Sequence, residues 1–480
     1  MPEGQLTKRA CPFVNGRWLM NSREETEVKS PYSNEVIGTQ FHATMEDVEA
    51  ALESSFIAKK AIAEISAYER AVILRKAADL LDEKKEAFAK LISLELGKPL
   101  KNTLDEVSRS VETLQLSGEE AKRLVGETIP GNASERGTNS IAMTFRVPVG
   151  VIAAITPFNS PLNLVCHKVG PAFAAGNAVV LKPAPQTSLV ATALVQLFLE
   201  AGFPENAIQM LLGGVEIGQT IVKDDRVNVI SFTGGTVASR NICSIAGMKK
   251  VLLELGGNAA TIVHEDADLE RAARLCARTG YSNSGQSCIS VQRIYVHQSV
   301  AVQFKELLKS EVEKLKVGDP LSPETDVGTL VDENAANRIM SWIQDSIEAG
   351  AELVAGGKQN GANVLPTILY NPPKTANVVC QEVFGPIVSI LPYERIEDAI
   401  EEANDSEFGL QAGIFTNQLD LAYKVAHSLE VGGIVINGTS NFRLDHWPYG
   451  GVKNSGIGRE GPRFAIEDMT ERKMIVLQLS

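Results

Sequence analysis

The chain is poor in the features that mark special classes of protein. It has only six cysteines in 480 residues, Cys11, Cys166, Cys243, Cys276, Cys288 and Cys380. None forms a Cys-x-x-Cys pair or a short Cys/His cluster, so neither a disulfide framework nor a metal site is expected. No apolar run reaches the roughly 18 residues that a membrane span needs. The N-terminal stretch MPEGQLTKRACPFVNGRW lacks an apolar signal core. A reducing cytoplasm is the expected compartment, with no membrane partner. Positive charge is also short: 46 Lys and Arg stand against 59 Asp and Glu, a net charge of −13. A nucleic-acid partner needs a basic face and is not expected, although a local basic pocket for a small anion is compatible with this balance. No repeat or low-complexity tract stands out.

What is present is an ordinary globular composition, 44% hydrophobic and 22% charged. A chain of this length calls for two or three domains. Residues 69–96 place apolar side chains at near-helical spacing between charges, and read as one amphipathic helix, with further helix to about residue 124. From 148 the pattern changes. VGVIAAI, AVVLK, IQMLL, VNVISF and AATIV are short runs rich in β-branched residues. Helical segments near 161–175, 187–201, 216–223 and 236–247 separate them. The second half repeats the style with ISVQRIYVH, helices near 299–316 and 334–349, then IVSIL, LQAGIFT and VGGIVI. Alternation of this kind predicts an α/β fold with two Rossmann-like parallel sheets. NSIAMTFRVP (139–148) and the terminal ERKMIVLQLS (471–480) fit neither sheet and are read as a small β-ribbon that packs on another subunit.

Ligands of parallel sheets sit at the carboxyl ends of the strands. Three such ends carry suitable chemistry: AITPFN (154–159), VVLKPAPQT (179–187) and VISFTGGT (229–236). Glycines 234 and 235 let a pyrophosphate approach a helix N-terminus, or simply make a tight turn. The G-x-G-x-x-G spacing is absent. Cys288, in GYSNSGQSCISVQR, is either a thiolate nucleophile or a small buried hydrophobe. Glu254, in VLLELGG, is either a base whose pKa burial raises or a buried acid paired with a lysine. The histidines (42, 167, 264, 297, 427, 446) include no obvious dyad partner for the cysteine.

Taken in order, PFN (157–159), KPA (182–184), FTGG (232–235), LELGGN (253–258), GQSC (285–288), EVFGP (382–386) and GGVKNSGIGREG (450–461) resemble the NAD(P)-dependent aldehyde dehydrogenase superfamily. The resemblance runs from about Val14 to the C-terminus. It implies a dinucleotide-binding domain from 1–124 and 146–254, a catalytic domain at 255–445, an oligomerisation ribbon at 125–145 and 463–480, and a homodimer or homotetramer. It implies a small aldehyde as substrate and NAD or NADP as cofactor. Cys288 matches the nucleophile that forms a thiohemiacetal and then a thioester. Asn159 matches the oxyanion amide, beside the backbone N–H of Cys288. Glu254 matches the base that activates the hydrolytic water. On the cofactor side stand Thr156, Pro157, Phe158, Lys182, Pro185, Phe232, Thr233, Gly234, Gly235, Leu255, Gly256, Glu382 and Phe384. Of these, Lys182 matches a contact to the adenosine ribose and Glu382 a contact to the nicotinamide ribose. Three positions depart from the common pattern: PFN for PWN, Gly235 for a serine, and Pro185 for a glutamate that binds the ribose 2′-hydroxyl. The last departure removes both a hydrogen bond to NAD and a repulsion of the NADP 2′-phosphate, so tolerance of both is expected.

For the substrate, Arg109, His167 and Arg443 are expected to form a cationic cup for an anionic group, with Arg293 as a further candidate. The stretch FNSPLNLVCHKVGPA is most similar to members acting on lactaldehyde, phosphonoacetaldehyde, sulfolactaldehyde or glyceraldehyde 3-phosphate. The alternatives are a CoA-acylating enzyme, which characteristically lacks the base, a general aliphatic dehydrogenase without the cup, an esterase, and a non-catalytic relative.

Overall fold

The structure is a computed structural model describing residues 6–20 and 23–479. Residues 1–5 of the stretch read for a leader, residues 21–22, and Ser480 of the terminal strand lie outside it. The β-branched runs of the first half form the centre of an eight-stranded sheet. Its order is Gly456–Ile457, Lys250–Glu254, Val229–Thr233, Val151–Ile155, Ala178–Lys182, Ile208–Met210, Phe13–Val14, Arg17–Trp18. The five central strands are parallel, and the pairings outside them are antiparallel. Their side chains are almost wholly buried, as a sheet with both faces covered requires. The chain enters at Val151–Ile155, winds outward one way to Ile208–Met210, then returns to the other side at Val229–Thr233. The order therefore reverses between Val151–Ile155 and Val229–Thr233, and a crevice at such a switch point is where open α/β sheets bind ligands.

The second half forms a seven-stranded sheet, ordered Glu352–Ala355, Thr367–Tyr370, Ile387–Tyr393, Arg293–His297, Ala260–Val263, Gln411–Phe415, Gly433–Ile436. Only its first pair is antiparallel. Helices cover both sheets. The helices read from the sequence appear at Asn163–Ala174, Ser188–Ala201, Val215–Lys223, Thr236–Ile245, Gln298–Val312 and Glu333–Glu348.

Two expectations change. The single helix over 69–96 is two helices, Ala67–Glu83 and Lys85–Leu96, broken at Lys84. The joint lies in the charged run DEKK, and no buried apolar side chain between Leu81 and Phe88 holds the two axes in line. Residues 463–468, assigned to the ribbon, belong to the helix Pro462–Asp468, which packs on Leu100–Ala121 and Asn163–Ala174. The ribbon begins after it: Thr470–Gln478 pairs antiparallel with Ser140–Pro148, and that strand with Thr128–Pro130. Among the described residues no helix is long and apolar enough to cross a membrane, and no group of His, Cys, Asp and Glu is arranged to hold a metal.

Candidate active site

The loop that carries Cys288 is strained in a defined way. Asn283, Ser284 and Gly285 follow one another with φ of 52°, 56° and 72°, left-handed backbone that costs free energy at the two non-glycine positions. Side chains hold it there. Asn283 Nδ2 donates to the carbonyls of Asn159 and Gln286, both at 3.1 Å. Asn159 Nδ2 donates to Gln286 O at 3.1 Å. The amide of Asn159 is thus tied two residues from the thiol, and its second N–H is not engaged by that bond.

Cys288 is half-buried against Ile289, Leu410 and Tyr449. Loss of water pushes its thiol up to about 12, opposed by a hydrogen bond with the Tyr449 hydroxyl, 3.0 Å away. The lowered thiol pKa that a reactive cysteine suggests is therefore not found in this state.

Glu254 ends the strand Lys250–Glu254 and is buried. Burial raises its carboxyl well above the usual range, and the neighbouring Glu460 charge raises it further. Among the described residues its Oε2 has no hydrogen-bond partner, so the carboxyl can take one. The next residue after Tyr449, Gly450, lies against this carboxylate: a Cβ there would sit 2.9 Å from Glu254 Oε1. One short strap, Tyr449–Gly450, therefore touches both the thiol and the acid. The following turn needs its glycines. A Cβ on Gly256 would collide with Glu382 Oε2, and one on Gly257 with the Cys288 carbonyl.

Most of the residues expected on the cofactor side stand at or just beyond the carboxyl ends of the strands about the switch point. Thr156, Pro157 and Phe158 follow the strand Val151–Ile155. Phe232, Thr233, Gly234 and Gly235 end the strand Val229–Thr233 and open the helix Thr236–Ile245. Among the described residues the buried hydroxyls of Thr156 and Thr233 have no partners. Lys182 closes the next strand, its Nζ reaching, among the described residues, only the Pro183 carbonyl at 3.4 Å, and burial lowers it to about 8. Pro185 is exposed in the turn Pro185–Thr187. Glu382 Oε1 accepts from the Gly257 N–H at 3.0 Å, and burial pushes the carboxyl up to about 7. Phe384 meets Phe158 edge-to-face, centroids 5.8 Å apart. The Leu255 N–H donates to Ser455 O at 2.9 Å. Orphaned hydroxyls, a weakly held amine and a buried acid are suitable donors and acceptors for ribose and phosphate groups.

The cup contains a carboxylate that the sequence reading missed. Asp445 takes both Nε and Nη2 of Arg109 (3.0 and 2.7 Å), His167 Nε2 (2.8 Å) and Asn163 Nδ2 (3.2 Å), with Arg443 Nη2 at 3.6 Å. Burial alone would push Asp445 up, but His167 and Arg109 outweigh it and hold it far below the carboxylate range. Arg443 also pairs with Glu460 at 2.9 Å. Arg109, His167 and Arg443 do come together, but around an internal anion. Arg293 does not join them. Its guanidinium donates to the carbonyls of Asn258, Glu402 and Ala403 and braces the second sheet instead. Also missed were Lys168, which donates to Ser231 Oγ at 3.2 Å and faces Glu460 at 3.9 Å, and Tyr449. Adjacency to His167 and Arg443 was the only available signal for Lys168 and Asp445.

The chain is similar to known proteins over nearly its whole length. A 3-sulfolactaldehyde dehydrogenase of Priestia aryabhattai is 49% identical over 468 residues, 97% of this chain and 98% of its own. A lactaldehyde dehydrogenase of Methanococcus vannielii is 40% identical over 470 residues, covering 97% and 99%. The crystal structure of an NADP-dependent glyceraldehyde-3-phosphate dehydrogenase from Bacillus halodurans, complexed with NADP, superposes with a TM-score of 0.96 at 37% identity, covering 99% and 100%. Residues 18–475 match the aldehyde dehydrogenase family as a whole, and the chain belongs to that family.

Proposed function

We propose that the chain oxidises a small aldehyde, hydroxylated or anionic, to its carboxylic acid through a Cys288 thioester, with NAD or NADP as acceptor. The observation that carries this reading is the strap Tyr449–Gly450, which touches both a half-buried thiol and a buried acid whose Oε2 is, among the described residues, unpartnered. Cys288 Sγ attacks the aldehyde carbon. The oxyanion takes the free N–H of Asn159 and the backbone N–H of Cys288. Lys182, the Thr156 and Thr233 hydroxyls and Glu382 hold the dinucleotide, which supplies the hydride acceptor when bound. Glu254, whose carboxylate burial makes more basic than usual, takes a proton from a water as that water attacks the thioester. The acid leaves and the thiol is restored. Free cysteines throughout the described residues suit a reducing, cytoplasmic setting.

The relatives' names support a short substrate with a polar or anionic tail, and a tail that binds beside Arg109, His167 and Arg443 has to share them with Asp445 and Glu460. Arg443 lies over the ring of Tyr449, whose hydroxyl touches the thiol, so a tail near Arg443 is close to the reacting carbon. Homo-oligomerisation through the ribbon is part of the same reading. Glu254→Gln tests the chemistry. It should give a burst of one reduced nicotinamide per site at 340 nm, then steady turnover reduced by about 10²–10⁴-fold, with the acyl group found on Cys288 by mass spectrometry. Undiminished steady turnover would remove Glu254 as the base. A rate panel of sulfolactaldehyde, lactaldehyde, glyceraldehyde 3-phosphate and propanal tests the tail. Equal kcat/KM for propanal would remove the cup.

A further inference from the structure

Tyr449 touches the nucleophile and takes no part in the steps above. Its hydroxyl is 3.0 Å from Cys288 Sγ, and among the described residues no other side chain hydrogen-bonds that sulfur. The phenol is 6% exposed and packs with Ile289 and Leu410 around the thiol. Its backbone exchanges two hydrogen bonds with Glu460, at 3.0 and 2.6 Å. The Arg443 guanidinium lies over its ring, 3.9 Å from the centroid, and is itself held by Glu460. A backbone pin, a cation on the ring face and an apolar wall thus fix one hydroxyl at one sulfur.

A neutral thiol and a neutral phenol can share a hydrogen bond in either direction. Once the thiol has ionised, only the phenol can donate. A hydrogen bond to a charged acceptor is stronger than its neutral counterpart, so this contact favours thiolate over thiol. We propose that Tyr449 is a catalytic residue: its hydroxyl donates to the Cys288 sulfur as it ionises, lowers the cost of forming that thiolate and holds it in place until it attacks the aldehyde. In that ionisation the S–H bond breaks, its proton passes to water, the electron pair stays on sulfur, and the phenol keeps its own O–H. Burial holds the phenol well above the ordinary tyrosine range, which keeps it a donor. The charged groups that face the sulfur are Glu382 and Glu254, which oppose ionisation, and Arg443, which favours it. The role rests on the reading of Cys288 as nucleophile.

Tyr449→Phe removes only the hydroxyl. The readout is the rate of Cys288 alkylation by iodoacetamide across the pH range in which thiols ionise, followed by peptide mass. The profile should shift to higher pH by about one unit, with an approximately tenfold slower reaction near neutrality and an unchanged plateau at high pH. The acid limb of kcat/KM should shift with it. A purely structural role would lower the plateau and leave the midpoint in place. Replacement of Tyr449 by 3-fluorotyrosine, a more acidic phenol of nearly the same shape, should move the midpoint down. Superimposable profiles for the wild type and Tyr449→Phe would overturn the proposal. Aldehyde oxidation at the wild-type rate by Cys288→Ser would instead overturn the nucleophile reading, and the proposal with it.

Discussion

Pro185 occupies an exposed turn at the carboxyl end of a strand that also delivers Lys182. In the proposed binding mode that turn faces the adenosine ribose. A carboxylate placed there would repel a 2′-phosphate by about 1 kcal/mol in bulk water and about 4 kcal/mol near a protein surface. Pro185→Glu is therefore expected to lower the NADP-to-NAD ratio of kcat/KM about tenfold or more, measured with one aldehyde and both cofactors. An unchanged ratio would mean that other groups choose the cofactor. Pro185 could be read from its motif because its effect is a missing charge. Asp445 could not. Its importance comes from four side chains on three separate segments, Arg109, Asn163, His167 and Arg443, that meet only in the fold. Tyr449 is of the same kind: nothing in WPYGG announces that its hydroxyl will reach a sulfur 161 positions away.

Elements are positioned by similar long-range pairings. The helix Ser188–Ala201 begins directly after the Pro185 turn, and its N-terminal N–H groups need partners. Glu95, from the helix Lys85–Leu96, accepts from Leu189 N at 2.7 Å and Val190 N at 3.0 Å. Its burial is complete, and desolvation pushes the carboxyl up to about 8 against those two bonds. The folded state thus binds a proton more tightly than the unfolded chain, whose glutamate titrates near about 4.3. The contribution of Glu95 to stability is full below that value and is lost as pH rises through about 8. Glu95→Gln removes the titration and leaves one N–H short of an acceptor. It should be less stable than the wild type by about 1–3 kcal/mol at acid pH, and the gap should close and then reverse as pH rises towards 8, as followed by thermal unfolding. A constant gap would show that Glu95 does not titrate in this window. The alternation of strands and helices was legible because each element carries its own period. The break at Lys84 and the docking of Glu95 were not, since both depend on what another element presents.

At the scale of the molecule, the two parallel sheets bury their strands on both faces, whereas the ribbon does not. In Thr470–Gln478, Met474 and Val476 point to one face and Ile475 and Leu477 to the other, and all four are exposed. The strand pairs with Ser140–Pro148 on one side and forms the edge of its three-stranded sheet. An apolar edge strand with two uncovered faces invites further pairing or packing, and folded proteins rarely leave one open. The same segment follows the helix Pro462–Asp468, which packs on Asn163–Ala174, the helix that bears His167 and Lys168. Cover supplied by a second copy would therefore also steady the back of the candidate site. Ile475→Asp with Leu477→Asp should reduce the mass measured by light scattering after size exclusion, at a concentration where the wild type is a dimer or tetramer. If the site depends on that cover, kcat/KM per subunit falls with the mass, and recovers when concentration restores assembly. A wild type that is already monomeric, or a variant of unchanged mass, would show that the ribbon closes on something other than its own copy.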